Sequence, residues 1–260
     1  MTTIPHTTAG LAVDPYTSPV HLNRIASPNG RPQRNLPLMR KYEVAHLTPS
    51  HHIEHRTIVA PATDVFESAF AVMGHGTLLA TDAGPRAIED IVPGDRVVTV
   101  ENGLQTVMWH GAMSLAAPRQ EAATLTRFPS NADQFGLDGP DLVLGPAARL
   151  RVTSEAARKI TGANHVFVPA SDLIDGSQAI AIRPMSATNC YQIGLARHSS
   201  VRVNGQCIET LHPGPAHQLG LRAAMLDLYL SLFGHVSSLA DFGPMAAPRI
   251  RQSDLDLVAA

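Results

Sequence analysis

Between residues 71 and 214 the sequence alternates short β-branched and apolar runs with turn-forming residues, and this pattern constrains the fold more than any other feature. Two such runs, residues 96–100 and 106–110, flank Asn102 and Gly103, which supply the positive φ angles of a tight hairpin. Further candidate strands are residues 142–144, 149–152, 165–168, 180–182, 191–195 and 200–203. Closely spaced short strands with turn signals predict an all-β domain.

A segment rich in proline precedes this region. It contains few periodic apolar positions, and each proline removes a backbone donor and fixes φ. The prolines before residue 38 are Pro5, Pro15, Pro19, Pro28, Pro32 and Pro37. We therefore predict a Pro-rich N-terminal arm over residues 1–66, either a flexible leader or a strap that orders against a partner or against the rest of the protein.

Helical periodicity begins after Pro215. Six apolar residues are spaced so that they share one helix face: Leu219, Met225, Leu226, Tyr229, Leu232 and Phe233. Gly234 follows them and suits the left-handed position that commonly ends a helix. We predict a C-terminal helix and tail over residues 216–260, whose apolar face packs on the β domain or forms an oligomer contact.

Charge and hydropathy exclude several classes of partner. The net charge is -2 and the basic residues are scattered, so we expect no nucleic acid and no membrane partner. The N-terminus lacks the basic and apolar regions of a secretory signal. The most hydrophobic segment, residues 219–233, is interrupted by Arg222 and Asp227, which argues against a membrane span. We expect a soluble protein, cytoplasmic or exported by a non-classical route.

Candidate metal ligands are few. Cys190 and Cys207 lack the paired spacing of a zinc site and are too few for a disulfide scaffold. His51 and His55 could share a helix face, but their order, His-His-Ile-Glu-His, differs from the His-Glu-x-x-His of zinc hydrolases, and Pro49 disfavours a helix. We predict no metal and no cofactor.

Three sequence blocks occur in an order and at a spacing typical of one family. The first is VMGHGTLLAT at residues 72–81, followed by a glycine turn and by IVPGD at residues 91–95. The second is LGPAAR at residues 144–149, followed by VFVPA at residues 166–170. The third, residues 191–214, contains Arg197-His198, Asn204-Gly205, Glu209 and Pro213-Gly214. Together they resemble the Hint domain, the self-processing fold of hedgehog proteins and inteins.

The resemblance implies a fold and a chemistry. Hint domains are all-β, a flattened horseshoe of two pseudo-symmetric β halves, which we expect here over residues 67–215. In active members the first residue, a thiol or hydroxyl nucleophile, attacks the preceding carbonyl, and a histidine of the second block protonates the scissile amide. Bacterial members often carry a closing segment like PRIR at residues 248–251.

The family's catalytic positions are degenerate in this sequence. Val72 stands where the resemblance places the nucleophile, and a hydrocarbon side chain cannot attack the Ala71 carbonyl. Ala148 replaces the histidine of the second block, and Gly145 stands at the position of its Ser or Thr. The retained positions are Thr77, His198 and Glu209. The resemblance therefore implies that no catalytic set is intact.

Other nucleophiles and reactions remain open. Ser68 and Thr77 are the nearest hydroxyls, although Thr77 belongs to a strand entry where a local hydrogen bond is expected. A lone cysteine such as Cys207 is usually a buried apolar residue. Splicing needs a C-terminal asparagine, and no His-Asn pair follows Asn204, so any ancestral activity resembles hedgehog-type cleavage.

We predict an inactive, pseudoenzyme-like Hint-type protein with a structural or binding role. Its contacts with a protein partner or a larger assembly would use the N-terminal arm and the C-terminal helix. The alternative is an enzyme that slowly cleaves itself near Val72 through a non-standard nucleophile.

Overall fold

Antiparallel strands dominate the fold, which a computed structural model describes over residues 38–115, 125–130 and 140–259. The strands are β1 (Met39–Leu47), β2 (Ile53–Pro61), β3 (Met73–Gly74), β4 (Leu78–Thr81), β5 (Gly84–Ala87), β6 (Arg96–Thr99), β7 (Gly103–Leu115), β8 (Leu125–Phe128), β9 (Leu142–Leu144), β10 (Arg149–Val152), β11 (Val166–Pro169), β12 (Ile180–Ile182), β13 (Thr188–Leu195), β14 (Ser200–Val203) and β15 (Gln206–Glu209). The helices are α1 (Asp64–Glu67), α2 (Glu155–Thr161), α3 (Ala216–Leu219), α4 (Ala223–Leu230), α5 (Gln252–Ala259) and the 3-10 turns Ile88–Asp90, Ala170–Leu173 and Leu239–Phe242. The predicted all-β fold is confirmed, since the helices are few and short.

One long strand, β7, lies in the middle of the sheet and connects its two halves. The sheet runs in the order β11-β10-β15-β14-β4-β6-β7-β13-β3-β9-β8-β12, with β5 beside β4 and the β1–β2 hairpin beside β7. The first part of β7 pairs with β6, and its later residues pair with β13 and with β1. Because β7 pairs with strands on both sides, the connection between the two halves of the sheet depends on this one strand.

Two groups of buried residues form most of the core. A central cluster lies among the strands from β3 to β15 and includes Val72, Leu79, Ala148, Ile193 and Ile208. An aromatic cluster lies among the hairpin, β7 and α4 and includes Tyr42, Phe70, Trp109, Tyr229 and Phe233. The indole of Trp109 donates a hydrogen bond to Leu232 O at 2.7 Å. This bond satisfies the buried indole and fixes α4 against the sheet.

Residues 39–61 of the predicted arm form the β1–β2 hairpin, so this part is ordered against the rest of the protein, as in the strap alternative, and is not a flexible leader. The nine residue pairs of the hairpin run from Met39↔Pro61 to Leu47↔Ile53. Tyr42 and Val44 are buried, because β1 also pairs with β7. The prolines lie in the turn and at the strand end, where a missing donor is tolerated. Residues 1–37 of the predicted arm lie outside the described residues.

The predicted C-terminal helix exists but is shorter and interrupted. Gly220, with φ of 60°, ends α3 and separates it from α4. Gly234 does not have the predicted left-handed φ; it allows close packing, because a Cβ there would lie 2.3 Å from the His46 ring. The apolar side of α4 packs on the β domain through Tyr229. In the described ranges, no helix is long and apolar enough to cross a membrane.

The predicted strands agree closely with the structure. The predicted strands 142–144, 149–152, 180–182 and 200–203 have the bounds of β9, β10, β12 and β14. The hairpin after β6 differs in detail, because Gly103 has a positive φ of 63° whereas Asn102 does not. His51 and His55 do not share a helix face, since His51 lies in a turn and His55 in β2.

The segment before α5 is attached to β11 by backbone hydrogen bonds. Phe167 N donates to Pro248 O at 2.8 Å, and Ile250 N donates to Phe167 O at 3.0 Å. These two bonds bracket Arg249 and fix its position on the β domain. A residue distant in sequence thereby enters the neighbourhood of β15.

Two histidines meet where the hairpin packs on the segment after α4. Burial lowers the pKa of His46, and burial together with the His46 charge lowers the pKa of His235 to about 4. Neither Nδ1 atom has a hydrogen-bond partner in the described residues. Both imidazoles are therefore neutral at neutral pH, and protonating them opposes this packing.

We expect the folded protein to lose stability as the pH falls from 7 to 5. The unfolded chain takes up protons near pH 6.5, whereas folded His235 resists protonation until the pH approaches 4, so acid favours unfolding. We expect His235 to reduce the free energy of unfolding by about 2 kcal/mol over this range. Urea unfolding at both pH values measures the change. His235→Gln should reduce this loss, and the exposed control His217→Gln should not. Equal free energies of unfolding at the two pH values contradict the prediction.

Candidate functional site

Two backbone hydrogen bonds hold residues 71 and 72 against residues 145 and 147. Ala147 N donates to Ala71 O at 2.9 Å, and Gly145 N donates to Val72 O at 2.7 Å. A Cβ on Gly145 would lie 2.2 Å from Ala71 O. Position 145 is therefore glycine because the two backbone segments approach too closely for a side chain.

Two of the degenerate positions are filled by buried hydrocarbon. Val72 is 2% exposed and Ala148 is 1% exposed, and both belong to the central cluster. The structure thus brings together Val72, Gly145 and Ala148, the three positions where the resemblance expects catalytic groups. Their side chains contribute apolar packing and no polar atom.

A cavity of about 270 Å³ opens beside Val72. Val72 and Ala147 line one wall, and Leu211, Leu219 and Tyr229 provide other apolar surface. The polar lining includes Ser68, Arg149, Gln192, Glu209, His212 and Arg249. An apolar wall facing a few convergent polar groups is typical of a small-molecule or chain-end binding site.

Glu209 is the central charge of this lining. Its carboxylate is 3% exposed and accepts hydrogen bonds from Arg249 Nε at 2.8 and 3.1 Å. His198 Nε2 lies 3.2 Å away, and Arg149 Nη1 lies 3.8 Å away. Burial acts to raise the pKa of Glu209, but His198 and the arginine charges outweigh it and hold the pKa below its usual value. Glu209 is therefore ionised.

Both ring nitrogens of His198 face other groups of the protein. Its Nδ1 accepts a hydrogen bond from Ala246 N at 2.9 Å, so the proton of the neutral ring lies on Nε2 and faces Glu209. Its ring packs between Phe167 and His212, with centroids 5.6 and 4.9 Å away. His198 thus joins the site through Glu209 and is not itself part of the cavity lining among the described residues.

His212 adds a neutral imidazole to the cavity. Its Nδ1 accepts from Gly214 N at 2.9 Å, and its Nε2 lies 3.0 Å from Gly243 O. Burial lowers the pKa of His212 to about 4. At neutral pH the positive charge of the cavity lining therefore comes from its arginines.

The other candidate nucleophiles lie in unfavourable surroundings. The Thr77 hydroxyl is buried and donates to Gly74 O at 2.7 Å, the local bond that the sequence predicted, and in the described chain it does not line the cavity. Burial raises the pKa of Cys207 and raises that of Cys190 to about 12, which disfavours either thiolate. Ser68 does line the cavity, with its hydroxyl 3.1 Å from Val65 O.

A family model described as a Hint domain matches residues 71–215, more than half of the chain. The chain belongs to the Hint domain family. No curated protein matches the sequence.

Solved structures with related folds are mostly inteins. A bacterial intein-like domain from Clostridium thermocellum is 14% identical, with a TM-score of 0.38, and the match covers 54% of this chain and 98% of that domain. The MchDnaB-1 intein is 14% identical with a TM-score of 0.33, covering 54% and 99%. The gp41-1 intein is 11% identical with a TM-score of 0.31, covering 54% and 98%.

Sequence reasoning assigned no role to the two arginines of this Hint domain's cavity. Arg149 ends the second family block, and Arg249 lies in the closing segment, so both were visible as part of the resemblance. The sequence did not indicate that both arginines approach Glu209, because this depends on strand pairing and on the backbone hydrogen bonds of Phe167.

We expect Gly145→Ala to destabilise this Hint domain by about 3 kcal/mol, through overlap with Ala71 O and loss of the backbone bonds of residues 145 and 147. Gly76→Ala is the matched control, since nothing lies within 4 Å of the added Cβ. Its φ of 79° is unfavourable for alanine, so we expect a loss of about 1 kcal/mol in the free energy of unfolding. Denaturant unfolding measures both. Equal losses for the two variants contradict the close approach.

Proposed function

We propose that this protein is a Hint domain that does not process itself and that acts as a binding domain. The observation that carries the proposal is the buried Val72 side chain at the nucleophile position, packed in the same cluster as Ala148. Cleavage of the Ala71–Val72 bond needs a heteroatom that attacks the Ala71 carbonyl carbon. The Ala147 N–H can polarise that carbonyl, but Val72 supplies no attacking atom.

The alternative is slow self-cleavage near Val72 through a non-standard nucleophile. Ser68 is the hydroxyl that favours it, because Ser68 lines the cavity together with Val72. An ordinary serine needs a neighbouring base, and its hydroxyl is 3.1 Å from the Val65 carbonyl, which offers none. The binding role is therefore the better supported of the two.

The packing favours the cavity beside Val72 over α4 as the binding surface. The apolar side of α4 already packs in the aromatic cluster, so this helix offers less to a partner than the sequence suggested. The cavity beside Val72 combines apolar surface with charged groups. A protein partner reached through residues 1–37, or a larger assembly, stays a prediction.

We expect the purified chain to remain whole under conditions that open thioesters and esters. Incubation with hydroxylamine or dithiothreitol at neutral pH, followed by intact mass spectrometry, should give only the full-length mass. A fragment ending at Ala71 supports the enzyme alternative instead. Loss of such a fragment in Ser68→Ala would identify the nucleophile, and the buried Thr77→Ala serves as the matched hydroxyl control.

Restoring the missing groups should restore some cleavage. In Val72→Cys/Ala148→His the introduced thiolate attacks the Ala71 carbon, the C–N bond breaks, and the amide nitrogen takes a proton from the introduced imidazole. Hydroxylamine then captures the acyl group and releases residues 1–71. The imidazole enters a filled site at a cost of about 1–3 kcal/mol, so folding is checked by circular dichroism. Val72→Ala/Ala148→His lacks the heteroatom and should stay whole; a folded Cys/His variant that also stays whole contradicts the assigned positions.

A further inference from the structure

We infer that the cavity beside Val72 binds a carboxylate group, with Arg149 as the residue that receives it. This inference rests on the proposed binding function and names its ligand class. The ligand is a carboxylate with a small apolar substituent, either a short aliphatic acid or the C-terminal residue of a peptide chain.

The two arginines of the cavity differ in how their donors are used. Arg249 is satisfied within the protein: its Nε contacts both oxygens of Glu209, and its Nη2 donates to His212 O at 2.7 Å. Arg149 is poorly satisfied: in the described chain its acceptors are Ala147 O at 3.4 Å and Glu209 at 3.8 Å. A guanidinium has five N–H donors, so Arg149 has several available for a ligand.

The charges that act on Arg149 leave an excess of one positive charge, and the second carboxylate of the cavity lining, Asp64, is exposed to solvent. Arg149 and Arg249 face the single carboxylate of Glu209, while nearby Asp172 is paired with Arg251 at 2.8 Å. Burial and the Arg249 charge lower the pKa of Arg149, as expected for a guanidinium whose positive charge is only partly compensated by its neighbours. An anion beside Arg149 would neutralise the excess charge.

The shape and polarity of the cavity favour a monoanion with an apolar substituent. The Arg149 side chain is 31% exposed, so a ligand reaches it without opening the fold. Val72, Leu211 and Leu219 provide apolar surface in a cavity of about 270 Å³. Asp64 also lines the cavity and is exposed at its rim, which opposes a dianion such as phosphate. A planar guanidinium matches the two oxygens of a carboxylate.

Titrations of the ¹⁵N-labelled full chain followed by NMR test this inference. The probes are N-acetyl-L-alanine, butyrate, N-acetyl-L-alaninamide and inorganic phosphate. We expect at least one of the two carboxylates to shift the amides of Val72, Ala147 and Arg149 saturably, and the neutral alaninamide to have no effect. Preference for N-acetyl-L-alanine indicates a peptide C-terminus, and preference for butyrate indicates a free aliphatic acid; both support the inference.

Variants of Arg149 establish which residue receives the ligand. Arg149→Met should weaken carboxylate binding by about ten-fold or more, since it removes a charged hydrogen-bond donor. Arg149→Lys keeps the charge and should bind with intermediate affinity, and Arg197→Met replaces an exposed arginine outside the cavity and should bind like the unaltered chain. The dispersion of the same spectra reports whether each variant is folded.

Several outcomes overturn the inference. They are equal shifts from the alaninamide, undiminished binding in both folded Arg149 variants, saturable binding of phosphate alone, and no saturable shift from any probe. Failure here is separable from failure of the proposed inactivity. A chain that cleaves itself but binds carboxylates through Arg149 refutes only the inactivity, and an intact chain that binds no carboxylate refutes only this inference.

Discussion

The close approach of residues 71–72 to residues 145–147 organises this molecule. Two backbone hydrogen bonds cross the gap, and the absence of a side chain on Gly145 allows it. Because the contact uses main-chain atoms, it does not depend on the residue at position 72. The arrangement around the Ala71–Val72 bond therefore needs no particular side chain at position 72, and it places Ala147 and Arg149 at the cavity.

Hydrocarbon side chains stand at two of the positions where the resemblance to active Hint domains expects reactive groups. A fully buried valine stabilises a folded protein by about 1.5–3 kcal/mol relative to an exposed one, and Val72 is buried in the central cluster. Arg249 and His198 surround the buried Glu209 carboxylate, with Arg249 hydrogen-bonded to both oxygens and His198 Nε2 at 3.2 Å, so this buried charge is paired. In this Hint domain Val72 belongs to the core on one side and lines a charged cavity on the other.

The sequence predicted much of the β domain and less of what surrounds it. Alternating apolar residues located β9, β10, β12 and β14, and the three family blocks lie within the residues that the Hint domain model matches. The hairpin at residues 39–61 was missed because its burial comes from pairing with β7, a contact between segments distant in the chain. Gly234 was misread because its role is steric: it makes room for His46. The unequal bonding of Arg149 and Arg249 is also a tertiary property that periodicity does not encode.

The attachment of Arg249 to β11 has a consequence for biosynthesis. Glu209 leaves the ribosome 40 residues before its cation, so a nascent chain can form most of the strands while this carboxylate still lacks its main counterion. Until the closing segment arrives, the neighbours of this buried carboxylate are His198 at 3.2 Å and Arg149 at 3.8 Å, so we expect β15 to be less stable in the incomplete chain. A chain that ends before residue 249 lacks the Arg249 counterion of Glu209 permanently. We expect cellular quality control to recognise such a chain.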